Sequence, residues 1–212
     1  MALAKICGVT TPTGVEAALA GGAAYVGFMF FPTSPRRVSI HEAAELARPA
    51  RGVAKIVAVT VDADDEQIGA LVAGLAPDLV QLHGRETPRR VQAIASRGIG
   101  VIKAIGVATE SDVDAARAFD GLADHLMFDA KPSAVVGRPG GAGESFDWRL
   151  LAGRKWRRPW FLAGGLDPEN VAAAVAITGA PMVDVSSGVE SRPGLKDAAL
   201  IARFLTAARQ TP

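Results

Sequence analysis

With one cysteine, Cys7, this chain can form no internal disulfide. Its histidines, His41, His83 and His125, share no ligand spacing, so a structural zinc site of the four-ligand kind is excluded and no metal is expected. Charge of one sign is missing too. The 23 Lys+Arg against 22 Asp+Glu leave +1, too little for a nucleic-acid or anionic-membrane surface that works through bulk charge. No apolar run nears the roughly 18 residues of a spanning helix, and Met1 to Gly8 lack the apolar core of a signal peptide. These absences point to a cytoplasmic setting with neither nucleic acid nor membrane as partner, and leave open a small anionic ligand held by local donors. The composition biases of repeats, coiled coils and disordered tails are also absent, and no segment reads as a linker. A single domain over residues 1–212 is expected, long enough to bury a substantial core.

What is present is an alternation of short apolar runs with longer amphipathic, Ala-rich stretches, the pattern of repeated βα units on a parallel sheet. The strand candidates are Ala4–Cys7, Tyr25–Phe31, Ala54–Val61, Leu79–Leu82, Gly100–Ile105, His125–Phe128, Trp160–Ala163 and Met182–Val185. Between them the spacing predicts helices over Pro12–Ala20, Ile40–Ala47, Asp65–Ala73, Pro88–Ser96, Ser111–Phe119, Phe146–Leu151, Pro168–Ile177 and Lys196–Arg209. Thr11-Pro12, Ser39 with Glu42, Thr87-Pro88 and Asp167-Pro168 are N-terminal signals, while Gly21-Gly22, Gly74 and Gly98 read as following helices. Eight such units in 212 residues suit an α/β fold of the (β/α)8 TIM-barrel type at the low end of its size range. An open doubly wound sheet would more usually carry its phosphate loop after the first strand.

Two strand candidates late in the chain stop abruptly at small residues, Ala163-Gly164-Gly165 and Ser186-Ser187-Gly188. Glycine lets backbone amides approach a ligand closely, and serines add hydroxyl donors. Two successive loops of this kind can converge on one anion, as the last two loops of a barrel often do for a phosphate. A phosphorylated small molecule is therefore the expected ligand.

In a barrel the reactive residues sit where strands end. That column holds Lys5 and Cys7, Ser34-Pro-Arg-Arg37, Asp62, Gln81 and His83, Lys103, Asp129 and Asp184, far more polar than a core. A Cys7 thiolate, its pKa lowered by a neighbour such as Lys5, could serve as base or nucleophile. Asp129, closing Leu126-Met-Phe128, reads as a general acid or base across the mouth. One of Arg36 and Arg37 could point inward and clamp a carboxylate. Asp184 would lie near the phosphate end and orient a hydroxyl or an amide. The loop Lys131–Ser145, with Gly140-Gly-Ala-Gly143, reads as a lid.

Lys5-Ile-Cys-Gly8, Ser34-Pro-Arg36, Val80-Gln-Leu-His-Gly84, Phe128-Asp129, Phe146-Asp-Trp148, Ala163-Gly-Gly-Leu-Asp-Pro-Glu-Asn-Val171, Asp184-Val-Ser-Ser-Gly-Val-Glu190 and Pro193-Gly-Leu-Lys-Asp197 closely resemble the phosphoribosylanthranilate isomerase family of tryptophan biosynthesis. The resemblance spans residues 5–197. It implies an Amadori rearrangement of N-(5-phosphoribosyl)anthranilate to the 1-amino-1-deoxyribulose 5-phosphate without metal or cofactor. It further implies Cys7 as general base, Asp129 as general acid, Arg36 on the anthranilate carboxylate, and Gly164, Gly165, Ser186 and Ser187 as phosphate cradle. The chain departs from the family at Ala142, where threonine is common, and at Glu144, where lysine is frequent, with a modest effect on turnover expected. A histidine-pathway isomerase would be expected to pair two aspartates, and a pentose-phosphate epimerase to gather His and Asp around a metal. A silent phosphate-binding barrel would bind without turnover. Either a monomer or a homodimer is compatible with the sequence.

Overall fold

The computed structural model describes residues 1–131 and 145–210. The stretch expected as a lid falls outside the described residues from Pro132 to Glu144, Ala142 included. Eight parallel strands close into a barrel: β1 (Leu3–Cys7), β2 (Tyr25–Met29), β3 (Lys55–Thr60), β4 (Leu79–Leu82), β5 (Gly100–Val107), β6 (His125–Ala130), β7 (Trp160–Leu162) and β8 (Met182–Val185). The ring closes where β8 pairs with β1, Lys5 lying opposite Asp184 and Ile6 opposite Val185. Helices α1 (Pro12–Ala20), α2 (Ile40–Ala47), α3 (Asp65–Leu75), α4 (Pro88–Ala95), α5 (Glu110–Ala115), α6 (Val171–Thr178) and α7 (Ala198–Arg209) surround it. No described helix is long and apolar enough to cross a membrane.

Alternation along each strand splits the buried residues into two sets. Ile6, Val26, Phe28, Val80, Leu82, Leu126 and Phe128 face outward onto the helices, with Ile68, Leu75 and Phe204 from the helix layer. Tyr25, Val57, Val59, Leu79, Ile102, Met127, Phe161 and Met182 fill the lumen. At one level the rings of Tyr25, His125 and Phe161 meet edge to face, with centroids 5.1 Å (Tyr25–Phe161) and 5.6 Å (His125–Phe161) apart. The lumen is a packed core and the polar chemistry is confined to the strand ends.

Helix starts follow their caps. Thr11 and Thr87 each accept a backbone N–H from the first turn, and Ser39 and Asp64 form capping boxes with Glu42 and Gln67. Four expectations are corrected. Gly74 lies inside α3, where a Cβ would stand 2.5 Å from Ile40 Cγ2, and the left-handed stop falls instead on Ala76 at φ 47°. The expected helix over Phe146–Leu151 is a single 3-10 turn, Trp148–Leu151, opened by Asp147 and soon followed by Gly153 at φ +70°. The helix expected from Pro168 starts at Val171, because Asp167 first ties the amides of Glu169 and Asn170 into a turn at 2.8 Å each. Finally, Lys196 belongs to a hairpin of β9 (Glu190–Arg192) and β10 (Leu195–Lys196), turned at Gly194 with φ +85°, and Asp197 caps α7 beyond it.

Candidate active site

Lys5 and Cys7 project from β1 into the mouth of the barrel beside Asp184 of β8. Lys5 Nζ donates to Asp184 Oδ1 at 2.8 Å, with the lysine side chain wholly buried. Burial works to lower the Lys5 ammonium, yet Asp184 and the Cys7 sulfur hold it above its ordinary value. The Cys7 thiol is pushed up: burial outweighs the pull of Lys5, and the Asp184 charge adds to burial. Lys5 does pull the thiol down, as expected, but burial is the larger effect, so the net shift is upward instead of downward. Gly27 lies opposite Cys7 in the sheet, and a Cβ there would come within 3.1 Å of Lys5 Nζ and 3.2 Å of Cys7 Sγ.

Of the adjacent arginines, Arg37 is exposed and Arg36 is buried, only 8% exposed. The Arg36 stem crosses Gly8, where a Cβ would collide with its Cδ at 2.6 Å; Gly8 itself sits at φ +71°. Its guanidinium grips Glu190 in a two-point bond, Nε to Oε1 and Nη2 to Oε2 at 2.8 Å each. Lys196, side chain fully buried, donates to Glu190 Oε1 at 2.7 Å and to Ser186 O at 2.9 Å. Burial would raise the Glu190 carboxyl, but Arg36 and Lys196 hold it below the usual carboxylate range. Burial depresses the Lys196 ammonium in spite of Glu190. The β9–β10 hairpin is thereby latched over the ends of β1 and β2.

Asp129 closes β6. Its Oδ1 accepts the Ala130 amide at 2.8 Å, and its Oδ2 lies 3.1 Å from His83 Nε2. His83 Nδ1 lies 2.8 Å from the Gln81 amide nitrogen. Lys103, expected at the mouth, turns the other way, its strand position sharing the outward face with Val101. It donates to Leu82 O, Gly84 O and the buried Glu86 carboxylate at 3.2, 2.8 and 2.6 Å. Glu86 also accepts the amides of Gly84 and Asp62. Asp62, with φ 49°, accepts the Arg85 amide at 2.6 Å, so it braces the loop that carries His83.

The two glycine and serine loops meet as the sequence suggests. A Cβ on Gly188 would stand 2.0 Å from Leu166 O, and one on Gly164 would stand 2.5 Å from the Ala130 nitrogen. Gly164 and Gly165 take φ +85° and +65°, and Asn170 Nδ2 donates to Gly165 O at 2.8 Å to brace the turn. The backbone N–H groups of Gly164, Gly165, Ser187 and Gly188 find no acceptor among the described residues. Ser186 Oγ donates to Cys7 O at 3.1 Å. The anion-ready loops therefore touch the strand end of Cys7 on one side and that of Asp129 on the other. Asp184 stands two positions below Ser186, committed to Lys5.

Sequence reasoning assigned no role to Glu86, Asn170, Glu190 or Lys196. Glu190 is 154 residues from Arg36, and such a pairing has no local signature. For Asn170, Glu190 and Lys196 the usable signal was their place inside the motifs that resemble the family; Glu86 stands in none of them.

The family described as N-(5'phosphoribosyl)anthranilate (PRA) isomerase matches residues 4–207. The N-(5'-phosphoribosyl)anthranilate isomerase of Caulobacter sp. (strain K31) is 59% identical over 212 residues, covering 99% of this chain and 100% of its own. The phosphoribosyl anthranilate isomerase structure from Thermotoga maritima superposes with a TM-score of 0.90 at 36% identity over 99% of each chain. A second such structure, in complex with reduced 1-(o-carboxyphenylamino)-1-deoxyribulose 5-phosphate, superposes with a TM-score of 0.86 at 34% identity, again over 99% of each chain. Sequence and barrel agree along the whole length, and the chain belongs to the N-(5'-phosphoribosyl)anthranilate isomerase family, isomerases of tryptophan biosynthesis.

Proposed function

We propose that isomerisation in this mouth is a metal-free Amadori rearrangement in which Asp129 gives a proton and Cys7 takes one. The observation that carries the reading is the shared cradle: Ser186 reaches the Cys7 carbonyl at 3.1 Å and Gly164 abuts Ala130, next to Asp129. A phosphate held by the amides of Gly164, Gly165, Ser187 and Gly188, with the Ser186 hydroxyl close by, places the sugar between the two groups.

The Asp129 carboxyl protonates the furanose ring oxygen, the C1–O bond breaks, and the nitrogen lone pair forms the iminium. The Cys7 thiolate then removes the C2 proton, whose bonding electrons form the C1–C2 double bond while the iminium pair returns to nitrogen. The enolamine tautomerises to the ketone. C1 is reduced as C2 is oxidised within one molecule, so no external electron carrier enters. The cationic iminium supplies the positive charge near Cys7 that Lys5, bound to Asp184, does not. Arg36, held in place by Glu190, receives the anthranilate carboxylate, and Asp184 acts through Lys5. The reading includes a cytoplasmic setting, a monomer or homodimer, and neither nucleic acid nor membrane as partner.

The test is to form phosphoribosylanthranilate in situ from anthranilate and phosphoribosyl pyrophosphate, add protein with a chelator present, and follow the loss of substrate fluorescence. Rapid loss is expected, with Cys7→Ala and Asp129→Asn each lowering kcat by about a hundredfold to ten-thousandfold. A wild-type rate no faster than the spontaneous one would sink the reading, and an active Cys7→Ala would remove the base.

A further inference from the structure

Gln81 is fully buried beside the mouth, and its two amide ends are treated differently. Nε2 lies 2.8 Å from His83 Nδ1, whereas Oε1 is buried with no hydrogen-bond partner among the described residues. A buried amide oxygen left without a donor costs about 1–3 kcal/mol. Nothing on that side anchors the amide, so its rotation by half a turn breaks no second bond.

The consequence reaches Asp129 through one imidazole. With Gln81 donating to Nδ1, a neutral His83 carries its proton on Nε2 and donates it to the Asp129 carboxylate 3.1 Å away. With the amide turned, Gln81 Oε1 accepts a proton from Nδ1, and Nε2 becomes an acceptor for a protonated Asp129. The two arrangements use the same heavy-atom positions and hold the two proton states that a general acid must alternate between.

The charged groups packed around this trio are already paired. Glu86 is bonded to Lys103 and to the amides of Gly84 and Asp62, and Lys131 lies 3.2 Å from Asp112. Gly106, beside Asp129 on β5, carries no charge, and neither do Ala163 and Gly164 on the other side. The proton on Asp129 is thus read by His83, and His83 is read by Gln81.

We propose that Gln81 is a positioning residue whose amide orientation sets the tautomer of His83 and thereby lets Asp129 alternate between carboxylate and carboxylic acid. The proposal rests on the reading of Asp129 as the acid. Nitrogen-15 histidine labelling of the full chain tests it directly, with the His83 signals assigned by their loss in His83→Gln. The neutral ring is expected as the Nε2–H tautomer in the wild type and as the Nδ1–H tautomer in Asp129→Asn, whose amide can donate to Nε2 as a protonated Asp129 would. Gln81→Met should abolish that change, lower kcat about tenfold, leave KM within about twofold and displace the pH profile of kcat. The same His83 tautomer in the wild type and in Asp129→Asn overturns the proposal. Turnover of Asp129→Asn separates the two failures. Near-wild-type turnover there removes the acid role and the relay's purpose with it, whereas lost turnover with a fixed tautomer overturns the relay alone.

Discussion

The base proposed above, Cys7, would be expected beside a spare positive charge, yet both lysines that act on it, Lys5 and Lys196, are already paired. Lys5 is close, but its charge is matched by Asp184 at 2.8 Å, and burial pushes the thiol up. On the proposed mechanism the thiol stays protonated until the substrate's own cation arrives. Alkylation by iodoacetamide reports this state. In the absence of substrate the rate at Cys7 is expected to be slow at neutral pH and to climb about tenfold per pH unit through the mildly alkaline range. A rate that has already levelled off by about pH 7 would show a preformed thiolate and contradict the account. The residue types at the mouth were legible from the strand-end rule; the direction of the Cys7 shift was not, because it depends first on how deeply the fold buries the thiol.

At the scale of elements, the site is made by close approaches that glycine permits. The loops after β7 and β8 press together so tightly that a Cβ on Gly188 would lie 2.0 Å from Leu166 O, a backbone atom that cannot swing away. Gly188→Ala should part the loops and weaken competitive inhibition by inorganic phosphate more than tenfold, about 1.4 kcal/mol. Gly69→Ala, in the exposed interior of α3 with nothing within 4 Å of the new Cβ, is the control and should stabilise by about 0.5–1 kcal/mol. Equal phosphate inhibition in the two variants would sink the cradle. The β9–β10 hairpin is the element that sequence reading missed, its last residue, Lys196, having been taken into the final helix. Its pairing is antiparallel and only a few residues long, and what holds it is Glu190 gripped by Arg36 and Lys196.

For the molecule as a whole, closure depends on β1 meeting β8. Their one buried ion pair joins Lys5 to Asp184 across 179 residues of chain. Breaking a buried pair by removing one partner typically costs about 3–5 kcal/mol, because the other charge is left uncompensated. Asp184→Asn is expected to lower the urea-unfolding free energy by that order near about pH 7; a loss under about 1 kcal/mol would show the pair to be incidental to closure. Since the folded Lys5 ammonium is raised above its ordinary value, the pair's contribution is complete below the unfolded lysine value. It is lost only as pH rises through the folded one, so no neutral-range dependence arises from this lysine.

By itself the sequence determined the barrel: its eight strand candidates all appear, two with the expected bounds and six with shifted ends, because period-two burial and local caps are properties of neighbouring residues. It also determined that Cys7, Asp129 and the two glycine and serine loops lie at one end, since strand polarity places them there. Tertiary structure alone decided where the charges point. Lys103 and Lys5 each fall on a strand near the mouth, yet one reaches outward to Glu86 and the other inward to Asp184. Arg36 and Arg37 adjoin in sequence, yet only Arg36 is buried. A buried charge settles on whichever opposite charge the fold brings within hydrogen-bond distance, and that partner lay 6 to 179 residues away in the chain.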